Sequence, residues 1–207
     1  MDTAFLITSF ATLFVVIDPV GLTPVFIALT SGTTPKHRRA VAYRACGVAF
    51  GILTLFAFFG EAVLGFIGIG MPAFRIAGGI LLFLTALDML FERRTRRRED
   101  QASEDDGADD PSVFPIAIPL IAGPGAIATM ILLAGQSGTW LNLAGVLAVM
   151  AAVLLLVLGF FLTAGLIERG LGKTGITVVT RLLGMLLAAL SVQFVLDGLR
   201  AFGLAGV

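Results

Sequence analysis

Two short stretches hold the residue types that could bind a polar ligand. The first is Asp18-Pro19-Val20-Gly21-Leu22-Thr23-Pro24; the second is Pro119-Leu120-Ile121-Ala122-Gly123-Pro124-Gly125-Ala126, with Thr129 one turn further on. Proline has no N–H to donate and disfavours helix in the residue before it. Aspartate is a good N-cap, and proline suits the first helical position. The first stretch therefore predicts a helix that ends near Val16 and restarts at Pro19 with Asp18 as its cap. In the second, Pro119 ends one segment, Gly123-Pro124 starts another, and Gly125 permits close backbone approach. A restarted helix offers free N–H groups and the positive end of its dipole, which suit a carboxylate. Asp18 adds a negative charge suited to an ammonium group, and Thr23 and Thr129 supply hydroxyls. A dipolar amino acid would satisfy both signs. The candidate binding residues are Asp18, Pro19, Gly21, Thr23, Pro24, Gly123, Pro124, Gly125, Ala126 and Thr129.

These stretches interrupt segments long enough to cross a bilayer. The chain is 57% hydrophobic with a mean hydropathy of +1.00, more apolar than the roughly 45–50% of a soluble domain. A span needs about 20 apolar residues. Six candidates follow: Ala4 to Thr30, Val41 to Gly68, Pro72 to Phe91, Val113 to Gly135, Leu141 to Ile167 and Ile176 to Phe202. The two Pro/Gly clusters sit near the middle of spans one and four. Lys36, Arg38 and Arg39 follow span one, Arg93 to Arg98 follow span three, and Arg169 and Lys173 follow span five. The loops after spans two and four have neither Lys nor Arg. Basic loops stay in the cytoplasm, so both termini are expected outside. Met1-Asp2-Thr3 has no basic stretch before the first apolar run, which reads as a retained span.

Glu92 to Ser112 is a basic run followed by an acidic one, with almost no apolar residue, and reads as a cytoplasmic tether. It divides the chain into an N-terminal three-helix half (1–91), a linker (92–112) and a C-terminal three-helix half (113–207) of one transmembrane domain. Three is odd, so the halves enter the membrane from opposite sides and any repeat must be inverted. Arg75-Ile76-Ala77-Gly78 in span three resembles Arg181-Leu182-Leu183-Gly184 in span six. The expected fold is all-α, with six transmembrane helices in two inverted three-helix repeats and helices one and four broken. Paired interruptions in corresponding positions point to a midplane site of a secondary transporter. A structural Pro kink would explain one such cluster; two at matching depth, one carrying an acid, favour a site.

The other polar residues in the spans are weaker candidates. Glu61, Arg75, Arg181 and Gln193 join Asp18 as coupling or ion-pair candidates. The arginines read as ion-pair partners or interface anchors, and Gln193 as a helix–helix hydrogen bond. Gly47 and Gly51 share a face of span two and suggest close packing, while Trp140 reads as an interfacial anchor. His37 lies in a basic loop and Cys46 is the one cysteine, so neither a metal site nor an enzyme is expected, and no cofactor. No basic surface suits nucleic acid, and there is no G-x-x-x-x-G-K-[ST] stretch for a nucleotide.

The two Pro/Gly segments, together with Arg181-Leu182-Leu183-Gly184, Ser191-Val192-Gln193 and Asp197-Gly198, resemble the signature stretches of the MarC family over essentially the whole chain. That resemblance implies a bacterial or archaeal inner-membrane protein related to an amino-acid exporter superfamily, some relatives of which move glycine and alanine. The expected partners are a small neutral amino acid, the lipid bilayer, and H+ or Na+ for coupling. A passive channel and a membrane protein without transport activity are the alternatives.

Overall fold

The computed structural model describes residues 3–93 and 110–203; the linker expected at 92–112 therefore lies mostly outside the described residues. Every regular element among them is a helix. They are α1 (Thr3–Ile17), α2 (Pro19–Leu29), α3 (Pro35–Ile67), α4 (Met71–Leu90), α5 (Ser112–Ile121), α6 (Pro124–Gln136), α7 (Trp140–Leu162) and α8 (Ala164–Ala201). Five lengths are long and apolar enough to cross a bilayer: α1 with α2, α3, α4, α7, and α8 from Thr174 onward. The pair α5–α6, bent by 59°, supplies a sixth if it is counted as one span. In α8, Gly172 at φ 61°, ψ 175° is non-helical and separates a short piece after α7 from the span proper.

Local chemistry sets the ends. Pro35 starts α3, with the Thr34 hydroxyl accepting the His37 N–H, and Gly68 ends it at φ 83°. That is the proline-first, glycine-last asymmetry of helices. The Thr139 hydroxyl caps α7 in the same way.

Burial identifies the central element. Over an 18-residue window, the α1–α2 span is 72% buried, against 22–39% for the four unbroken spans. The peripheral helices expose apolar faces, such as Leu55 and Phe59 on α3 and Leu182 and Leu186 on α8, as lipid contact requires. The largest helix–helix interfaces all join the part before residue 92 to the part after it: α4 with α8, α3 with α6 and α5, and α2 with α8. Neither half has a core of its own.

The α4–α8 seam is the most extensive. A methyl group on Gly79 would stand 2.8 Å from the Ser191 carbonyl, one on Gly198 3.0 Å from that of Pro72, and one on Gly184 2.9 Å from Met89 Cβ. Residue numbers rise on one helix as they fall on the other, so the pair is antiparallel, and glycine lets the backbones meet. Gly47 and Gly51 differ from the expectation of close packing. Both are exposed, with nothing within 4 Å of where a side chain would begin. Two glycines on one face are compatible with packing but do not compel it.

Between α2, α3 and α7, the rings of Phe26 and Phe161 stack with centroids 4.2 Å apart and planes 5° from parallel. The Arg38 guanidinium lies over Phe26 at 5.4 Å.

Candidate functional site at the two helix breaks

The first break turns on one residue. The backbone of Asp18 is left-handed, at φ 58° and ψ 68°, a conformation that Asp and Asn adopt more readily than other non-glycine residues. Its N–H still donates to the Phe14 carbonyl (2.9 Å), and its own carbonyl accepts from Leu22 (3.0 Å). The helix therefore ends at Ile17, one residue later than the sequence suggests, and restarts at Pro19. The Asp18 carboxylate is fully buried and accepts the Gly21 N–H at 3.0 Å. A Cβ on Gly21 would run into that carboxylate, so glycine there is a condition of the cap. Thr23 is buried, and its hydroxyl donates to the Pro19 carbonyl of its own helix at 2.9 Å. Pro24 lies inside α2 and withholds the N–H that would reach the Val20 carbonyl.

The second break is wider. In α5 the Ile116 and Ala122 N–H groups reach back five residues, to Pro111 (3.2 Å) and Ala117 (2.8 Å). Phe114 and Ile118 are extended, each immediately before a proline. The Phe114–Pro115 and Ile118–Pro119 peptide bonds are both cis. Gly123, extended at φ −80° and ψ 172°, leads into α6, whose first turn has no side-chain cap. A Cβ on Gly123 would stand 2.5 Å from the Pro119 carbonyl. The first-turn N–H groups of α6 therefore have no capping side chain.

The two breaks lie against each other. A methyl group on Gly125 would be 3.3 Å from Val16 Cγ1, 3.4 Å from Leu82 Cδ2 and 3.9 Å from Thr85 Oγ1. The first turn of α6 thus rests on the last turn of α1, next to α4. Ala126 is buried. Thr129 is fully buried and its hydroxyl has no hydrogen-bond partner among the described residues, unlike that of Thr23.

The remaining candidates lie elsewhere. Arg181 pairs with Glu92 at 2.5 Å in an exposed position. Gln193 donates to Asp197 of its own helix at 2.8 Å and is exposed, with no bond to another helix among the described residues. Arg75 is half-buried on α4, and its Nε has no partner among the described residues. Glu61 is exposed near the far end of α3. Thr85 was not among the sequence candidates. It stands alone as a hydroxyl in Ile80-Leu81-Leu82-Phe83-Leu84-Thr85, and that isolation is the signal that could have raised it. No group of His, Cys, Asp and Glu among the described residues could hold a metal ion.

A helical bundle with apolar outer faces and two interrupted helices, the first largely buried, defines an integral membrane protein. The chain belongs to the MarC family of integral membrane proteins, whose family model matches residues 3–202. It is 39% identical to the UPF0056 membrane protein YvbG of Bacillus subtilis over 95% of both chains. It is 37% identical to a UPF0056 membrane protein of Methanocaldococcus jannaschii, over 97% of this chain and 98% of the relative. It is 35% identical to the UPF0056 inner membrane protein YhgN of Escherichia coli, over 94% and 96%. No solved structure matches it.

Proposed function

We propose that the chain is a secondary transporter of small neutral amino acids, of glycine or alanine size, across the inner membrane. The observation that carries this reading is the meeting of the two breaks. The uncapped start of α6 lies on the end of α1 beside Thr129, whose hydroxyl is buried and has no partner among the described residues. The uncapped amides at the start of α6 would hold the substrate carboxylate; at the start of α2, Pro19 has no N–H and Gly21 and Leu22 already donate to Asp18. Asp18 would meet the amino group or carry a coupling proton, with H+ or Na+ as the coupling ion. No Walker-type stretch offers nucleotide coupling.

In this reading the halves are inverted repeats that rock against each other in alternating access, with both termini outside. The packing supports the pairing. α3 packs on α5 and α6 as α7 packs on α1 and α2; α4 packs on α6 as α8 packs on α2. Exchanging the halves exchanges these contacts, and the antiparallel α4–α8 seam maps onto itself.

The test is counterflow of labelled glycine and alanine in proteoliposomes, native chain against Asp18→Asn. Saturable counterflow that the substitution alters is the expected result. Flux without saturation or counterflow would replace the transporter by a channel. No flux of any amino acid would remove the transport reading.

A further inference from the structure

A cavity of about 430 Å3 opens between the far end of α3 and the turn from α6 into α7, away from the two breaks. Small-molecule sites usually measure roughly 300–1,000 Å3. Its walls include Ala57, Phe58, Glu61, Gly135, Ser137 and Trp140. Glu61 is the one charged side chain in this lining, and it has no hydrogen-bond or ion-pair partner among the described residues.

A Cβ on Gly135 would stand only 3.8 Å from Glu61 Oε2, so no side chain of Gly135 separates the carboxylate from the last turn of α6. That turn carries the negative end of the α6 dipole. Ser137 offers no free donor, since its N–H and hydroxyl both bond the Ala134 carbonyl, at 3.1 and 2.7 Å. The Asn142 amide donates to the Ser137 carbonyl at 2.8 Å. The Glu61 carboxylate and the α6 C-terminus both attract positive charge, while the start of α7 at Trp140, in the same lining, carries the opposite end of a dipole. Trp140 adds an aromatic face that can attract a cation.

We infer that this pocket binds a primary ammonium group attached to a short apolar chain. A bare metal ion fits poorly. Hard cations take several oxygen ligands, and no metal-binding group of side chains exists among the described residues. An alkylammonium brings N–H donors for Glu61 and its own apolar part for Ala57 and Phe58. The inference does not rest on transport. Where the transport reading also holds, the pocket is an outer-face station for the amino group.

Trp140 is the chain's one tryptophan, so its fluorescence reports on this pocket. The experiment titrates propylammonium chloride into the detergent-solubilised full chain, against sodium chloride at matched ionic strength. A saturable change with propylammonium, absent with sodium and with uncharged N-propylacetamide, is expected. Glu61→Gln should weaken the apparent affinity at least tenfold, while Glu168→Gln, an exposed position outside the pocket lining, should leave it unchanged. No saturable change, an equal response to sodium or to N-propylacetamide, or an unaltered titration in Glu61→Gln would overturn the assignment. The sodium and amide comparisons use the native chain, so a poorly folded variant does not decide the matter. Failure of amino-acid counterflow would leave this titration intact, and failure of the titration would leave counterflow intact.

Discussion

The carboxylate of Asp18 accepts the Gly21 N–H, and asparagine in the same place could accept it through its side-chain oxygen. Asn and Asp are near-equal caps and both tolerate the left-handed backbone. Asp18→Asn should therefore change stability by no more than about 0.5 kcal/mol, given the similar capping ranks, while removing the charge. Asp18→Ala should cost about 1 kcal/mol for the cap and more for the backbone. Thermal unfolding in detergent checks both, and a large loss in Asp18→Asn would show that the charge itself holds the fold. Gly21→Ala forces the carboxylate away from its N–H and should cost about 0.5–2 kcal/mol, the range for a lost cap; an unchanged unfolding midpoint would mean that the cap does not hold the break. The restart at Pro19 with Asp18 as its cap was legible because that backbone chemistry is local, whereas the room Gly21 leaves for the carboxylate was not. Thr23 and Thr129 were not distinguishable, because one bonds its own helix and the other does not, and packing decides that.

At the scale of elements, the α4–α8 seam sets the sharpest contrast. A methyl group at Gly79 meets the Ser191 carbonyl and Val195 at 2.8 Å, and backbone cannot move aside cheaply. Gly79→Ala should destabilise by about 1–3 kcal/mol, the usual cost of overpacking. Gly51→Ala, with open space around it, should be neutral or stabilising, since alanine is the better helix former. Unfolding midpoints of the two variants measured side by side would test the seam, and equal shifts would refute it. Hydropathy placed the helices, and the Pro/Gly clusters placed their interruptions. The sequence pattern drew attention to Gly78 and Gly184, and Gly184 does meet α4. Gly78, however, faces Leu132 of α6, and the seam uses its neighbour Gly79. A one-residue step turns a helix by about 100°, and only the tertiary arrangement fixes which of two adjacent glycines faces the partner. The wide turns of α5 were likewise hidden, because proline says where a regular helix fails and not what replaces it.

For the whole molecule, the uneven Lys and Arg distribution predicts orientation. The native thiol, Cys46, is buried, so introduced cysteines should label against a low background. His37→Cys should react with an impermeant maleimide only after cells are opened, and Gln136→Cys, at an exposed position, in intact cells. The reverse pattern would invert the topology. The sequence did not reveal the packing of helices before residue 92 on those after it, since that depends on contacts far apart in the chain. The antiparallel seam carries a consequence for biosynthesis. α4 leaves the ribosome well before α8, and no other helix pair replaces its seam. Until the last span is delivered, the glycine face of α4 must wait against lipid or an insertion factor, and the bundle stays open along one side. A ribosome stalled before Thr174 would thus hold a nascent chain with most of its spans made and its largest interface still missing, a species for membrane quality control to recognise.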